Sequence, residues 1–134
     1  MKLASRVFRF AGVYGLLALV PQYFTEARLG TDYPPAITHP EFYYGFLGVA
    51  ISWQIGFLLI SKDPLRYRAM MIPSILEKTS FGFAVLVLFF CGRTSSMILA
   101  FGTIDLMLAA AFVLAYRKTA TPKPQSEFSS SEIA

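Results

Sequence analysis

The stretch SSMILAFGTIDLMLAAAFVLAY, residues 95–116, decides the fold class, because it is apolar throughout and carries a single charge, Asp105. The hydrocarbon core of a bilayer is about 30 Å thick, and a helix that rises 1.5 Å per residue needs about 20 residues to cross it. A helix of this length without a polar face has no side that suits water. We therefore interpret the segment as a transmembrane helix.

Three further apolar stretches predict three more transmembrane helices, at residues 6–24, 42–61 and 69–91. The whole chain is 55% hydrophobic and 15% charged, whereas a typical soluble domain is about 25% charged. The sequence thus predicts an all-α fold, an integral membrane four-helix transmembrane bundle over residues 1–118. Residues 119–134 are rich in Ser, Thr and Pro without apolar periodicity, and they predict a disordered cytoplasmic tail.

The basic residues predict the orientation of this bundle. If four helices cross, three basic groups fall on one side: Lys2, Arg6 and Arg9, then Lys62, Arg66 and Arg68, then Arg117, Lys118 and Lys123. The opposite side has only Arg28 and Arg93. The positive-inside rule therefore predicts that both termini are cytoplasmic. Since the lipid bilayer explains the basic residues, we expect no nucleic-acid partner.

The first apolar segment leaves an alternative open. Residues 1–27 are basic and then apolar, and end with a small-residue site at Thr25 and Ala27, which also resembles a signal peptide. Cleavage there would leave three helices that obey the same charge rule. The small residues Gly12, Gly15 and Ala18 favour a packed helix instead.

Small residues also predict where helices pack. Helices in lipid associate through close contact at Gly, Ala and Ser, and such residues recur on one helix face at Gly45, Gly48, Ser52 and Gly56, and in the first helix at Gly12 and Gly15. We interpret them as contacts within the bundle, in a homo-oligomer or with another membrane protein. A cleft lined by the glycines is the alternative.

Polar side chains within the spans are the candidate ligand-binding residues. A charge at bilayer depth costs about 2.5–3.5 kcal/mol even on lenient scales, so such residues are usually paired or functional. Polar residues at comparable depths can form one layer: Gln54, Glu77, Lys78 and Asp105. The single tryptophan, Trp53, lies beside it and is the fifth candidate. Helical spacing favours an ion pair between Lys78 and Asp105, which leaves Glu77 to Gln54, a hydroxyl or water.

A second interpretation of Glu77 and Lys78 depends on where their helix begins. If it begins at Pro73, which suits a first turn, both residues lie in the second turn. Lys78 could then extend to the headgroups. Asp105 is deep in its span whichever start is right.

Residue types give little support for catalysis. Cys91 is the only cysteine and His39 the only histidine, so we expect neither a disulfide nor a metal cluster of these residues. No nucleophile–base pair is evident, and the sequence therefore does not favour an enzyme.

The stretches HPEFYYGFLGVAISWQ, KDPLRYR, LEKTSFG and GTIDLMLAAAFVLAY resemble a group of small bacterial four-helix membrane proteins to which no activity is assigned. In length, helix count and topology the chain is also similar to the broader DoxX-like families. The resemblance implies a bacterial cytoplasmic (inner) membrane location. Some DoxX-like families are associated with quinone-linked redox complexes or other membrane assemblies.

Three classes of function are consistent with these features. The first, which we favour, is a small membrane module that binds a lipophilic ligand such as a quinone or lipid. The second is an accessory or assembly subunit whose glycine faces dock a membrane protein partner. The third is a small oligomeric transporter in which Glu77 or Asp105 binds a proton or cation.

Overall fold

The structure, a computed structural model, describes residues 1–119 as an all-helical chain without strands in that range. Five α-helices follow one another: α1 Lys2–Leu19, α2 Glu26–Asp32, α3 Pro40–Lys62, α4 Met71–Phe90 and α5 Ser96–Lys118. A 3₁₀ turn, Val20–Phe24, extends α1, and another, Arg68–Met70, leads into α4. The predicted tail lies outside the described residues from position 120 onward.

Four of the helices have the dimensions of transmembrane helices. With their 3₁₀ extensions they cover Lys2–Phe24, Pro40–Lys62, Arg68–Phe90 and Ser96–Lys118, and each is long and apolar enough to cross a membrane. Large apolar side chains cover their outer surfaces, among them Leu17, Phe42, Val87 and Met107. So much exposed apolar surface suits lipid rather than water. The predicted fold class, an all-α chain with four helices able to span a membrane, is confirmed.

The connection between the first two spans contains the short helix α2. Its sequence supports a helical turn locally: Glu26 places a carboxylate at the positive end of the helix dipole. Arg28 and Asp32, four residues apart, form an ion pair at 3.3 Å. The α3 helix begins at Pro40, whose missing N–H costs nothing in a first turn.

The order of the long helices around the bundle is α3, α1, α5, α4. The α1 helix packs along α3 and also contacts α5, and α5 packs along α4, whereas α3 and α4 approach each other at few points. The bundle is therefore closed on three sides and open along the α3–α4 side. At its centre the buried rings of Phe8, Phe57 and Phe112 pack together, with Phe8 and Phe112 stacked at 4.1 Å between centroids.

Glycine makes two of the close helix contacts. A Cβ on Gly15 of α1 would overlap the Gln54 side chain of α3. A Cβ on Gly82 of α4 would lie 2.5 Å from Leu106 Cγ and 3.0 Å from the Gly102 carbonyl oxygen of α5. Close packing at small residues thus holds α1 to α3 and α4 to α5.

The predicted packing residues therefore divide into two groups. Gly12 and Gly15 are buried against α3, as expected. Gly45 and Ser52 are exposed, and a Cβ on Gly45 would meet nothing within 4 Å among the described residues. A Cβ on Gly48 would lie 3.5 Å from the Tyr23 hydroxyl, at the end of the first span. The face formed by Gly45, Gly48, Ser52 and Gly56 is thus only partly covered by residues 1–119, and its contact with a second protein stays a prediction.

The basic groups, as far as residue 118, lie at one end of the bundle. There Arg68 Nε donates to the Thr119 carbonyl oxygen at 3.0 Å, and its guanidinium lies 3.9 Å from the ring centroid of Tyr116. Arg68 thus satisfies a carbonyl just beyond the end of α5, where a cation also complements the helix dipole. This contact ties the start of α4 to the end of α5.

Candidate functional site

Three charged side chains meet between α4 and α5. Lys78 is buried, and its Nζ lies 3.2 Å from Asp105 Oδ1 and 3.4 Å from Asp105 Oδ2. The same Nζ is 3.5 Å from Glu77 Oε2 and 5.5 Å from the centroid of the Phe57 ring. The ion pair between Lys78 and Asp105 predicted from helical spacing is therefore formed. We call Glu77, Lys78 and Asp105 the charged triad.

The neighbouring small residues explain why the triad forms. Gly82 is one turn after Lys78 on α4, and Gly102 is one turn before Asp105 on α5, so each lies on the same face as its charged neighbour. Because these glycines let the two helices approach closely, Lys78 reaches Asp105 instead of the headgroups. The interpretation of Lys78 as an interfacial lysine is wrong for this structure.

The triad has one cation for two carboxylates. If all three groups are ionised, it carries one net negative charge at a depth where water is scarce and charge interactions are strong. Glu77 Oε2 is a buried atom without a hydrogen-bond partner among the described residues. Buried polar atoms are rarely left in this state, so each case calls for an explanation.

Glu77 also faces a groove on the open side of the bundle, between α3 and α4. The groove has a volume of about 290 Å³ and combines aromatic and apolar walls with Glu77 and one hydroxyl; its lining residues are Phe46, Val49, Ala50, Trp53, Glu77, Ser80 and Phe81. The rings of Phe46 and Phe81 are 5.8 Å apart and stacked across it. We call this the α3–α4 groove.

The structure separates the five predicted ligand-binding residues into three places. Trp53 and Glu77 line the groove, and Lys78 and Asp105 lie behind it, between α4 and α5. Gln54 is buried against α1, where its Nε2 donates to the Ala50 carbonyl oxygen at 3.0 Å. Gln54 Oε1 has no hydrogen-bond partner in residues 1–119, so a contact with Gln54, one of the three alternatives for Glu77, does not form.

Sequence reasoning missed several groove residues, namely Phe46, Val49, Ala50, Ser80 and Phe81. Ser80 and Phe81 follow Glu77 by three and four residues, so their place on its face was visible in the spacing. The α3 residues gave no such signal, because helical periodicity does not say which helix is the neighbour. Among residues 1–119 no three side chains of His, Cys, Asp or Glu are grouped to hold a metal ion.

Comparison with known proteins adds no relative to this description. No protein-family model, curated protein or solved structure matches the chain. The resemblance to DoxX-like families therefore stays a prediction. The fold and its apolar surface define the class, a helical membrane protein with four candidate membrane-spanning helices.

Proposed function

We propose that this protein is a membrane module that takes a lipophilic small molecule, such as a quinone or lipid, into the α3–α4 groove. The observation that carries this proposal is a lateral groove, within the predicted membrane-spanning region, that combines aromatic walls with a partly buried carboxylate. Ligand sites are typically concave and mostly apolar, with a few polar groups that fix orientation. The groove has this composition.

The position of the groove favours a ligand that arrives from the bilayer. It opens on the side where α3 and α4 barely touch, so a molecule dissolved in lipid can enter without crossing the bundle. Its volume of about 290 Å³ is close to the lower end of the usual range for ligand sites, about 300–1,000 Å³. A head group of roughly one ring would occupy it while an apolar tail stays in the lipid.

Native mass spectrometry of the protein, released from its own membranes in mild detergent, tests this proposal. We expect a stoichiometric lipophilic adduct on the wild-type chain. Ser80→Leu should remove the adduct, because it fills the groove beside Glu77 while replacing an exposed residue.

Thr103→Leu is the matched control for this experiment. Thr103 is also exposed and, like Ser80, donates to a carbonyl oxygen of the preceding turn, but it lies outside the groove lining. The adduct should therefore persist in Thr103→Leu. An adduct that survives in both variants, or a wild-type chain without one, would contradict the proposal.

A second candidate function is that of an accessory subunit. The observation that favours it is the outward face of α3, where small residues lie at the surface with open space beyond Gly45. Small residues let a partner helix approach closely. If the native spectrum shows a second protein bound to a chain free of ligand, this candidate gains support over the ligand module.

We further propose that both termini lie in the cytoplasm and that the membrane is the bacterial cytoplasmic membrane. The basic groups at the start of α1, the end of α3, the start of α4 and the end of α5 support this orientation through the positive-inside rule. The proposal places Cys91, the exposed single cysteine after α4, on the outer side.

Cys91 thus offers a direct measurement of orientation. A membrane-impermeant maleimide added to intact cells should label the wild-type chain. A Cys91→Ser chain with Lys62→Cys, at the opposite end of the bundle, should be labelled only after the membrane is permeabilised. The reverse pattern would show that the chain is inserted the other way.

A further inference from the structure

The excess negative charge of the triad is concentrated on the residue that faces the α3–α4 groove. Lys78 donates its hydrogen bond to Asp105 and lies slightly farther from Glu77, at 3.5 Å. Asp105 is therefore the better neutralised carboxylate, and it lies behind the groove. Glu77 lines the groove, where the low dielectric strengthens its attraction for a cation.

The Glu77 carboxylate is also incompletely paired within residues 1–119. Its Oε2 is buried, and the described residues provide it with no hydrogen bond. The distance of 3.5 Å to Lys78 Nζ is longer than an ordinary charge-assisted hydrogen bond. An ionised carboxylate only accepts hydrogen bonds. A group that pairs with this carboxylate from the groove must therefore present an N–H or O–H.

The groove walls favour a cationic group over a neutral one. The rings of Phe46, Trp53 and Phe81 line the groove around Glu77, and the faces of aromatic rings attract cations. An anionic or carbonyl head would place its oxygens against the carboxylate instead. The incompletely paired carboxylate and the aromatic walls are two observations with the same implication.

Building on the ligand module proposed above, we infer that the α3–α4 groove selects an amphiphilic amine, a protonated amine on an apolar body without an anionic group. Its N–H donates to the Glu77 carboxylate, and its apolar body lies among the aromatic rings. A phospholipid amine fits less well, because its phosphate would lie close to the same carboxylate.

Trp53 provides the measurement, since it is the only tryptophan of the chain and lines the groove. Nitroaromatic rings quench tryptophan fluorescence on contact. We would titrate the full chain, in phosphatidylcholine vesicles near neutral pH, with 4-nitrobenzylamine, 4-nitrobenzyl alcohol and 4-nitrobenzoate. These probes share one ring and differ in head-group charge. We expect the amine to bind at least about tenfold more tightly than the alcohol.

Two charge-matched variants test the role of Glu77. Glu77→Gln should abolish the preference for the amine. Glu41→Gln removes a carboxylate at the exposed start of α3, outside the groove, and should preserve it. Glu77→Asp keeps the charge and should also retain the preference, which separates loss of charge from loss of folding. A preference that persists in Glu77→Gln would overturn the inference.

The other outcomes distinguish this inference from the function on which it rests. If the alcohol or a short-chain quinone binds as tightly as the amine, and Ser80→Leu removes that binding, the groove holds a lipophilic ligand but does not select an amine. If no probe quenches Trp53 saturably, or if quenching is the same in Ser80→Leu, the ligand module itself fails, and the inference fails with it.

Discussion

Replacement of Lys78 by Met should lower the free energy of unfolding by about 3–5 kcal/mol, the usual loss when one partner of a buried ion pair is removed. The variant leaves Glu77 and Asp105 as two carboxylates with no cation among their contacts in the triad. Because the Lys78 side chain is only 7% exposed, water cannot compensate for the loss as it would at a surface. Reversible unfolding in mixtures of mild and denaturing detergent measures this change.

The geometry of the triad predicts that its members are not equivalent. Asp105→Asn removes the better of the two carboxylate partners but leaves Lys78 beside Glu77 at 3.5 Å. We therefore expect a smaller loss, about 1.5–3 kcal/mol, comparable to one hydrogen bond to a charged group. The double variant Lys78→Met with Asp105→Asn should be more stable than Lys78→Met alone, because it has one fewer unpaired charge.

Lys62→Met is the control for the loss of a lysine. Lys62 is exposed at the end of α3 and makes no ion pair in the described part of the chain, so its replacement should change the stability little. If the losses in Lys78→Met and Asp105→Asn simply add in the double variant, the two residues are not coupled, and the triad is not a functional unit of the fold.

The fold class could be predicted from the sequence because each transmembrane helix is recognisable from its own residues. A segment such as residues 95–116 is apolar over the full thickness of a bilayer, and this property does not depend on what surrounds it. Helix ends were less certain. The α1 helix begins at Lys2, earlier than predicted, because lysine is tolerated at a helix end as long as its ammonium stays at the interface.

The charged triad could be predicted only in part. The pair of Lys78 and Asp105 followed from spacing, because pairing lowers the cost of placing two opposite charges at similar depth in adjacent spans. The position of Gln54 did not follow from spacing. A neutral amide can donate its hydrogen bond to a carbonyl oxygen of its own helix, as Gln54 does to Ala50. The groove itself depends on which pair of helices is left apart, and no local pattern encodes that choice.

The same limit explains the glycines of α3. Gly45 and Gly48 have the spacing of a packing face, and in this chain the face points outward. Small residues permit a close contact but do not create one. Whether the contact exists depends on a partner helix. Among residues 1–119, Gly12, Gly15, Gly82 and Gly102 lie tightly against another helix.

Replacement of Gly82 by Leu should separate α4 from α5 and lower the free energy of unfolding by about 3 kcal/mol, at the upper end of the usual cost of overpacking. The first added atom would already lie 2.5 Å from Leu106 Cγ and 3.0 Å from the Gly102 carbonyl oxygen, and the backbone of α5 cannot yield as a flexible side chain can. The shift would also move Lys78, one turn away, from Asp105. The same detergent unfolding experiment measures the loss.

Gly45→Leu is the matched control, because it makes the same chemical change on the neighbouring open face. A Cβ at Gly45 would meet nothing within 4 Å in residues 1–119, so the monomer should keep its stability. An equal loss in both variants would mean that leucine is unfavourable in these helices for reasons other than packing. If Gly45→Leu leaves the fold intact but removes a bound partner or a homo-oligomer, the outward face of α3 is an interface. Both glycines would then permit the close approach of another helix: Gly82 within the chain, and Gly45 between chains.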